Sequence, residues 1–358
     1  MQNIFSLKTI CLLLLLVSNV MFAAEEPKQE EGDIKSEIKE YINHHLLDTH
    51  DFGLFSYTTD EGEEKHIGFP LPVILWDNGL QIFSSSKLHH GNDVAEHNGN
   101  YYKLYHEKIY KTNAEGTIEH DEHHHAINEK PLNFSITKNV FVIFLVGLLM
   151  LFMFGRMAKA YKNGHLPKGI GRFLEPIVLY IRDDIAIPNI GIKKYKRYMP
   201  FLLTVFFFIW IINLLGLTPL GVNVTNNIAV TLALALLTYL ITTFTANKNY
   251  WKHIFWMPGV PVPMKIILAP IELLGTFIKP FSLLIRLYAN ITAGHIVLMS
   301  IIGLMFIFKN WLGSSLSFGL AFVLSLLELL VAALQAYIFT MLSALYFGSA
   351  VEEHHDDH

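Results

Sequence analysis

Lys279-Pro280-Phe281-Ser282-Leu283-Leu284-Ile285-Arg286-Leu287-Tyr288-Ala289-Asn290-Ile291-Thr292-Ala293-Gly294-His295 is an apolar helical run with an arginine in its middle. Arg286 is the only arginine after Arg197. The stretches on either side are long and apolar, so they read as lipid-embedded. A guanidinium keeps its charge in proteins. Placing one near a bilayer centre costs at least about 2.5–3.5 kcal/mol on insertion scales. A residue this costly is a functional candidate, and it fixes the chain as a membrane protein whose embedded polar groups need an account.

Composition agrees. The 358 residues are 52% hydrophobic and only 16% charged, well below the roughly 25% of soluble domains. The net charge of −4 hides an uneven distribution: residues 25–133 hold 22 of the 31 acids and 9 of the 27 Lys and Arg. The single cysteine, Cys11, lies near the N-terminus. Disulfide, thiolate and cysteine–metal chemistry are therefore not expected of the remainder.

Residues 1–24 carry Lys8, an apolar run over 10–17 and Ala23-Ala24 before Glu25-Glu26-Pro27. This is the pattern of a secretory signal peptide. Its removal leaves the N-terminus outside the cytoplasm. Residues 25–133 form a small, polar, His-rich outer (periplasmic) region with 12 of the 18 histidines. A short helix is expected within 31–50, and two strands around Asn78-Gly79. The clusters His44-His45, His89-His90 and His123-His124-His125 contain ligand types for Zn²⁺ or Cu²⁺. They lack the fixed spacing of a structural site, so no metal is assigned and the segment reads as solvated.

The expected membrane domain covers 134–347, with spans near 134–155, 200–220, 228–246, 264–308 and 314–347. Arg156, Lys159, Lys162, Lys168 and Arg172 follow the first span and mark the cytoplasmic side. Residues 173–186 alternate apolar and charged positions at helical spacing, as in a helix lying on the inner surface. The last two spans exceed the roughly 20 residues of a perpendicular crossing. They are expected as an antiparallel, strongly tilted hairpin turning near Trp311. Residues 348–358 form a cytoplasmic tail. The fold class is thus an all-α polytopic membrane protein.

Glu272 and Glu328 are the only carboxylates in embedded positions after residue 184, and His295 the only histidine there. In the hairpin, His295 and Glu328 lie nearly equidistant from Trp311, as do Arg286 and Gln335. Two cross-helix pairs at two depths are expected. A rise of about 1.5 Å per residue puts His295 roughly 13 Å to the outer side of Arg286 and Glu272 roughly 21 Å to the inner side. Glu272, Gly275, Lys279, Ser282, Arg286, Asn290 and Ala293 share one face, and His295 points about half a turn away. An isolated buried His or Gln is usually a satisfied interhelical hydrogen bond. A titratable pair outside a permanent cation, with a further carboxylate inside, suggests two proton half-paths instead. Arg286 would block leakage between them. No third embedded carboxylate completes the route, so a partner must carry the acid.

These residues, with Asn213-Leu214-Leu215-Gly216-Leu217-Thr218-Pro219, Phe173-Leu174-Glu175-Pro176 and Leu334-Gln335-Ala336-Tyr337-Ile338-Phe339, closely resemble subunit a of bacterial F-type ATP synthases over roughly 134–347. The resemblance implies that Arg286 is the essential arginine, Asn290 and Gln335 its supporting amides, and Glu272 the inner glutamate. Lys279, Ser282 and Asn213 are secondary candidates. In some members the outer pair is glutamate at the position of His295 and histidine at that of Glu328, the reverse of this chain. A carboxylate found near Gly216 in some members is missing. The implied role is the proton-channel stator of the inner-membrane Fo sector, facing a rotating ring of c subunits that carry the acid and held by b-type stalk subunits. No nucleotide-binding motif is present, and no cofactor or nucleic-acid partner is expected. The alternatives are a proton-coupled secondary transporter, which would show paired repeats, and a tethered metal sensor centred on 25–133.

Overall fold

The computed structural model describes residues 48–58, 64–121, 125–164, 169–218, 222, 224–257, 260–307 and 311–352. The signal peptide, residues 31–47 of the stretch 31–50 in which a short helix is expected, His44-His45, His123-His124, Lys309-Asn310 and the last six residues of the tail lie outside them; residues 48–50 are not helical.

The outer region is built of short antiparallel strands: β1 (Asp51–Thr58), β2 (Glu64–Pro70), β3 (Pro72–Trp76), β4 (Leu80–Ser84), β5 (Val94–His97), β6 (Asn100–Tyr105), β7 (Lys108–Thr112) and β8 (Leu132–Asn133). The expected hairpin is β3–β4, in register from Pro72–Ser84 to Trp76–Leu80. Asn78 and Gly79 take φ of 52° and 138° at its turn, as a tight hairpin requires. The other strands were not read from sequence. Alternation buries Val73, Leu75 and Phe83 against Tyr102, Leu104 and Ile109 of the β5–β6–β7 sheet. A polar knot joins the sheets. Asp77 is buried, accepting from Tyr102 Oη at 3.0 Å and pairing with Lys111 Nζ at 2.8 Å. Chiefly the Lys111 hydrogen bond holds the Asp77 carboxyl below its ordinary range, whereas burial first and then Asp77 push the Tyr102 hydroxyl up to about 12.

The helical body begins with α1 (Lys138–Lys162), not at 134. Residues just before it belong to the sheet: Leu132–Asn133 pairs with β3, and Phe134 N donates to Ile74 O at 2.8 Å. Thr137 is the N-cap and accepts from Val140 N, satisfying one of the free donors of the first turn. α1 buries Asn139 and, along an i, i+4 stripe, Val142, Val146 and Met150. Phe144, Leu145, Leu148, Leu149, Leu151 and Phe152 are exposed, as suits a helix bordered by lipid.

The expected surface helix is α2 (Ile170–Tyr180), continued by a π-helical turn Ile181–Ala186 and α3 (Ile187–Ile190). It does not lie on a surface along its whole length. Ile181, Ile185 and Ala186 are fully buried against α4 (Tyr195–Gly216) and α8 (Trp311–Val351). At Gly348 of α8 an added Cβ would stand 1.9 Å from Asn189 O, so only glycine lets α3 approach this closely. α4 buries residues on several sides, including Leu202, Phe207, Ile209 and Ile212, and is the central helix.

A turn, Val224–Asn226, leads to α5 (Ile228–Thr245). α6 (Lys248–Phe255) is a short helix that was not read from sequence. α7 (Val262–Ile307) and α8 form the antiparallel hairpin. Their 46 and 41 residues extend roughly 69 and 61 Å at 1.5 Å per residue, twice the hydrocarbon thickness of about 30 Å. Among the described residues five helices, α1, α4, α5, α7 and α8, are long and apolar enough to cross a membrane. The carbonyls at the end of α8 are satisfied by Lys194 Nζ and Asn247 Nδ2, each 2.9 Å from Val351 O, and by Asn247 N, 2.8 Å from Ala350 O.

Candidate functional site

α7 has two unlike faces. Leu283, Leu284, Leu287 and Ile291 are buried against the rest of the body, and His295 continues that inner stripe one turn further on. Arg286, Ala289, Asn290 and Ala293 lie on the opposite face and are exposed. Around them Phe281, Ile285, Phe277 and Ile278 are also exposed. The guanidinium therefore stands, with Asn290, amid exposed apolar side chains on a surface that the described residues leave uncovered. Ser282 and Lys279 are half-buried beside it, with Lys279 Nζ 5.5 Å from the centre of the Tyr346 ring.

The hairpin brings His295 and Glu328 together: Nδ1 and Oε1 are 2.8 Å apart, with both side chains about nine-tenths covered. The contact is a close approach of potential ion-pair partners and not an aligned hydrogen bond. Both Glu328 oxygens are buried without a hydrogen-bond partner among the described residues. Burying a carboxylate with open acceptor sites is costly, which makes the place of Glu328 in the body a feature to be explained. Two glycines make room for the pair. A Cβ on Gly216 would meet His295 Nε2 at 3.3 Å, and one on Gly294 would meet Glu328 Oε1 at 3.2 Å.

Arg286 and Gln335 are not brought together in the same way. Gln335 is buried and Arg286 exposed, and no hydrogen bond joins them among the described contacts. The sequence argument matched their depths but not their phase. Nine residues between Arg286 and His295 are about 900° of helix, so when His295 turns inward Arg286 turns out. Asn213 is a brace inside the body: its Oδ1 accepts from Thr225 Oγ1 at 3.1 Å, and its Nδ2 reaches Ala332 O of α8 at 3.5 Å.

On the inner side Glu272 is half-buried. Its charge reaches Tyr250 of α6, whose hydroxyl is pushed up by burial first, then by Tyr239 and Glu272. A small cavity between α5, α6, α7 and α8 is lined by Thr238, Thr242, Tyr250, Thr276, Lys279 and Tyr346. The threonine hydroxyls donate to backbone carbonyls, Thr242 to Thr238 O and Thr276 to Leu273 O, both at 2.7 Å. Their lone pairs remain available to the cavity. These threonines were not connected to Glu272 from sequence. The signal was the spacing of Thr231, Thr238, Thr242 and Thr245 along α5. Among the described residues no group of three or more His, Cys, Asp or Glu is placed to hold a metal ion.

Comparison with known proteins divides the chain in a related way. Residues 140–348 match the family described as ATP synthase A chain. Residues 41–134 match a family described only as a domain of unknown function. The chain is 44% identical over 232 residues to the ATP synthase subunit a of Chloroherpeton thalassium, covering 63% of this chain and 68% of that protein. It is 43% identical over 248 residues to the ATP synthase subunit a of Myxococcus xanthus, covering 67% and 81%. It is 45% identical over 235 residues to the ATP synthase subunit a 2 of Chlorobaculum tepidum, covering 63% and 66%.

Proposed function

Because this chain belongs to the ATP synthase A chain family, we propose that it is the proton-channel stator of the membrane sector, offering two offset half-paths to a rotating ring of c subunits. His295 and Glu328 take protons from the outer side. Glu272, with the Thr- and Tyr-lined cavity, passes them to the inner side. Arg286 separates the two and holds a ring carboxylate in its ionised form as it passes, since an adjacent cation favours the charged acid. Asn290 and Ser282 line the same route, and Gln335 and Asn213 hold α8 and α4 behind it. The ring's rotation couples this flow to ATP synthesis elsewhere in the complex, and b-type stalk subunits hold the stator. The N-terminal region faces the periplasm after removal of residues 1–24, and the tail after 347 faces the cytoplasm.

The observation that carries the reading is the exposed Arg286 on a face of small and polar residues flanked by exposed apolar side chains. A fixed charge against lipid is costly, and Ala289 and Ala293 beside it permit the close approach of another helix. A partner that supplies an acid satisfies both features. The test is disulfide cross-linking in membranes carrying the whole complex. Ala293→Cys is expected to link to a cysteine placed next to the ring's carboxylate, whereas Ala336→Cys, a buried position, is not. If Ala289→Cys and Ala293→Cys both fail to link to the ring, the face is not the rotor contact and the reading falls.

A further inference from the structure

Among the ties between the outer β region and the helices, one carboxylate reaches two of their elements. Asp48 Oδ2 accepts from Thr137 Oγ1 at 3.0 Å, and Oδ1 accepts from Asn139 N at 3.1 Å, at the first turn of α1. Asp48 Oδ2 also accepts from Asn227 Nδ2 at 3.4 Å, a residue on the far side of α4. The region around Asp48 is anchored. Lys138 N donates to Thr49 O at 2.9 Å. Phe52, Phe69 and Phe141 form an aromatic cluster across the boundary, with ring centres 5.0–5.6 Å apart.

Asn227 is equally constrained. Its N donates to Val224 O at 3.1 Å, and its Oδ1 accepts from Ala229 N at 3.0 Å. It closes the Val224–Asn226 turn, in which Val224 and Thr225 are buried. That turn touches α7 directly and reaches α8 through Asn213 of α4. The side-chain amide of Asn226 contacts Thr292 Oγ1 on α7, one turn before His295. Thr225 donates to Asn213, which donates to Ala332 O on α8, one turn after Glu328. A continuous polar chain therefore runs from Asp48 through one short turn to both sides of the His295–Glu328 contact.

We propose that Asp48 is a positioning residue for the outer proton path: through Asn227 it fixes the Val224–Asn226 turn, and the turn holds α7 and α8 where His295 meets Glu328. This gives the outer domain a part in proton uptake, and it rests on the reading of the pair as the outer half-path. A capping role alone predicts something different. It would act through Thr137 and Asn139 on α1, with no dependence on Asn227.

The test uses the complete complex in vesicles and reads the rate of proton uptake from the side facing the outer domain, as a function of pH. Asp48→Ala and Asn227→Ala are each expected to slow uptake about threefold or more, the scale of a lost hydrogen bond, and to move the pH midpoint. The double variant is expected to be no slower than the slower single, because the two residues act in series. Asp48→Asn keeps an acceptor for Asn139 N but sets an amide donor against Asn227 Nδ2. It is expected to assemble normally and to show the same slowed, shifted uptake, so it serves if the alanine variant does not assemble. Wild-type uptake in Asp48→Asn overturns the inference, as do effects that multiply in the double variant. Glu328→Gln, measured alongside, separates the two levels: if it too behaves as wild type, the half-path reading fails, and if it alone is slow, only the role of Asp48 is lost.

Discussion

Arg286→Ala is expected to abolish ATP-driven proton pumping by the reconstituted complex while leaving or increasing passive leak. At about 4 Å, two unit charges attract by roughly 4 kcal/mol at an effective dielectric of 20. That would favour the ionised form of a passing acid by about a thousandfold. Without the cation the acid remains protonated as it crosses from one half-path to the other, so no net release accompanies rotation. The helix should tolerate the change. Arg286 is exposed, alanine is a strong helix former, and a costly embedded charge is removed. Assembly should therefore be normal, and the defect should be one of coupling. The measurement is the pH gradient formed on ATP addition, with complex content checked on the same vesicles. Coupled pumping at the wild-type rate in this variant contradicts the assigned role.

The second large effect is expected at the outer pair. Glu328→Gln or His295→Ala removes one member of a buried contact of 2.8 Å. Breaking such a pair typically costs about 3–5 kcal/mol, because the remaining group stays buried without its partner. Uptake from the outer side should fall by about tenfold or more in either single variant. The exchanged variant, His295→Glu with Glu328→His, restores one acid and one imidazole at the same depth, and it should recover much of the rate. Recovery distinguishes the chemistry of the pair from simple packing. Failure of the exchanged variant, with both singles near wild type, would remove the pair from the proton path.

Much of the helical body was legible because membrane embedding writes itself into composition. Long apolar stretches bounded by Lys and Arg leave little choice of element. The antiparallel hairpin placed His295 opposite Glu328 from chain distance alone. Arg286 and Gln335 show the limit of that argument: equal distance from the turn fixes depth, whereas contact also needs phase, and Arg286 turns outward. The π-helical turn at Ile181–Ala186 has no local signal, since its register is set by packing on α4 and α8. α6 was hidden by brevity; eight residues hold too few turns for a clear apolar period. In the outer region the β3–β4 hairpin was read from Asn78-Gly79, whereas Asn98-Gly99, which joins β5 to β6 with φ of 51° and 78°, carried the same tight-turn signature and was missed. β8 reaches β3 across more than fifty intervening residues, and pairing at that separation is not written in local sequence. Least legible was the link from Asp48 to Asn227, 179 positions apart.

The central claim is that two half-paths approach Arg286 from opposite sides and do not join. Cys11 is the only native cysteine and lies within the leader proposed to be removed, so introduced thiols are the only ones in this subunit, and the complex without them is the control. Thr292→Cys sits beside the outer pair, and Thr276→Cys lines the inner cavity. The most direct measurement is inhibition of pumping by a membrane-impermeant thiol reagent applied to one side at a time. The account expects the outer reagent to inhibit only Thr292→Cys and the inner reagent only Thr276→Cys. Inhibition of both variants from a single side would show one continuous channel and contradict it.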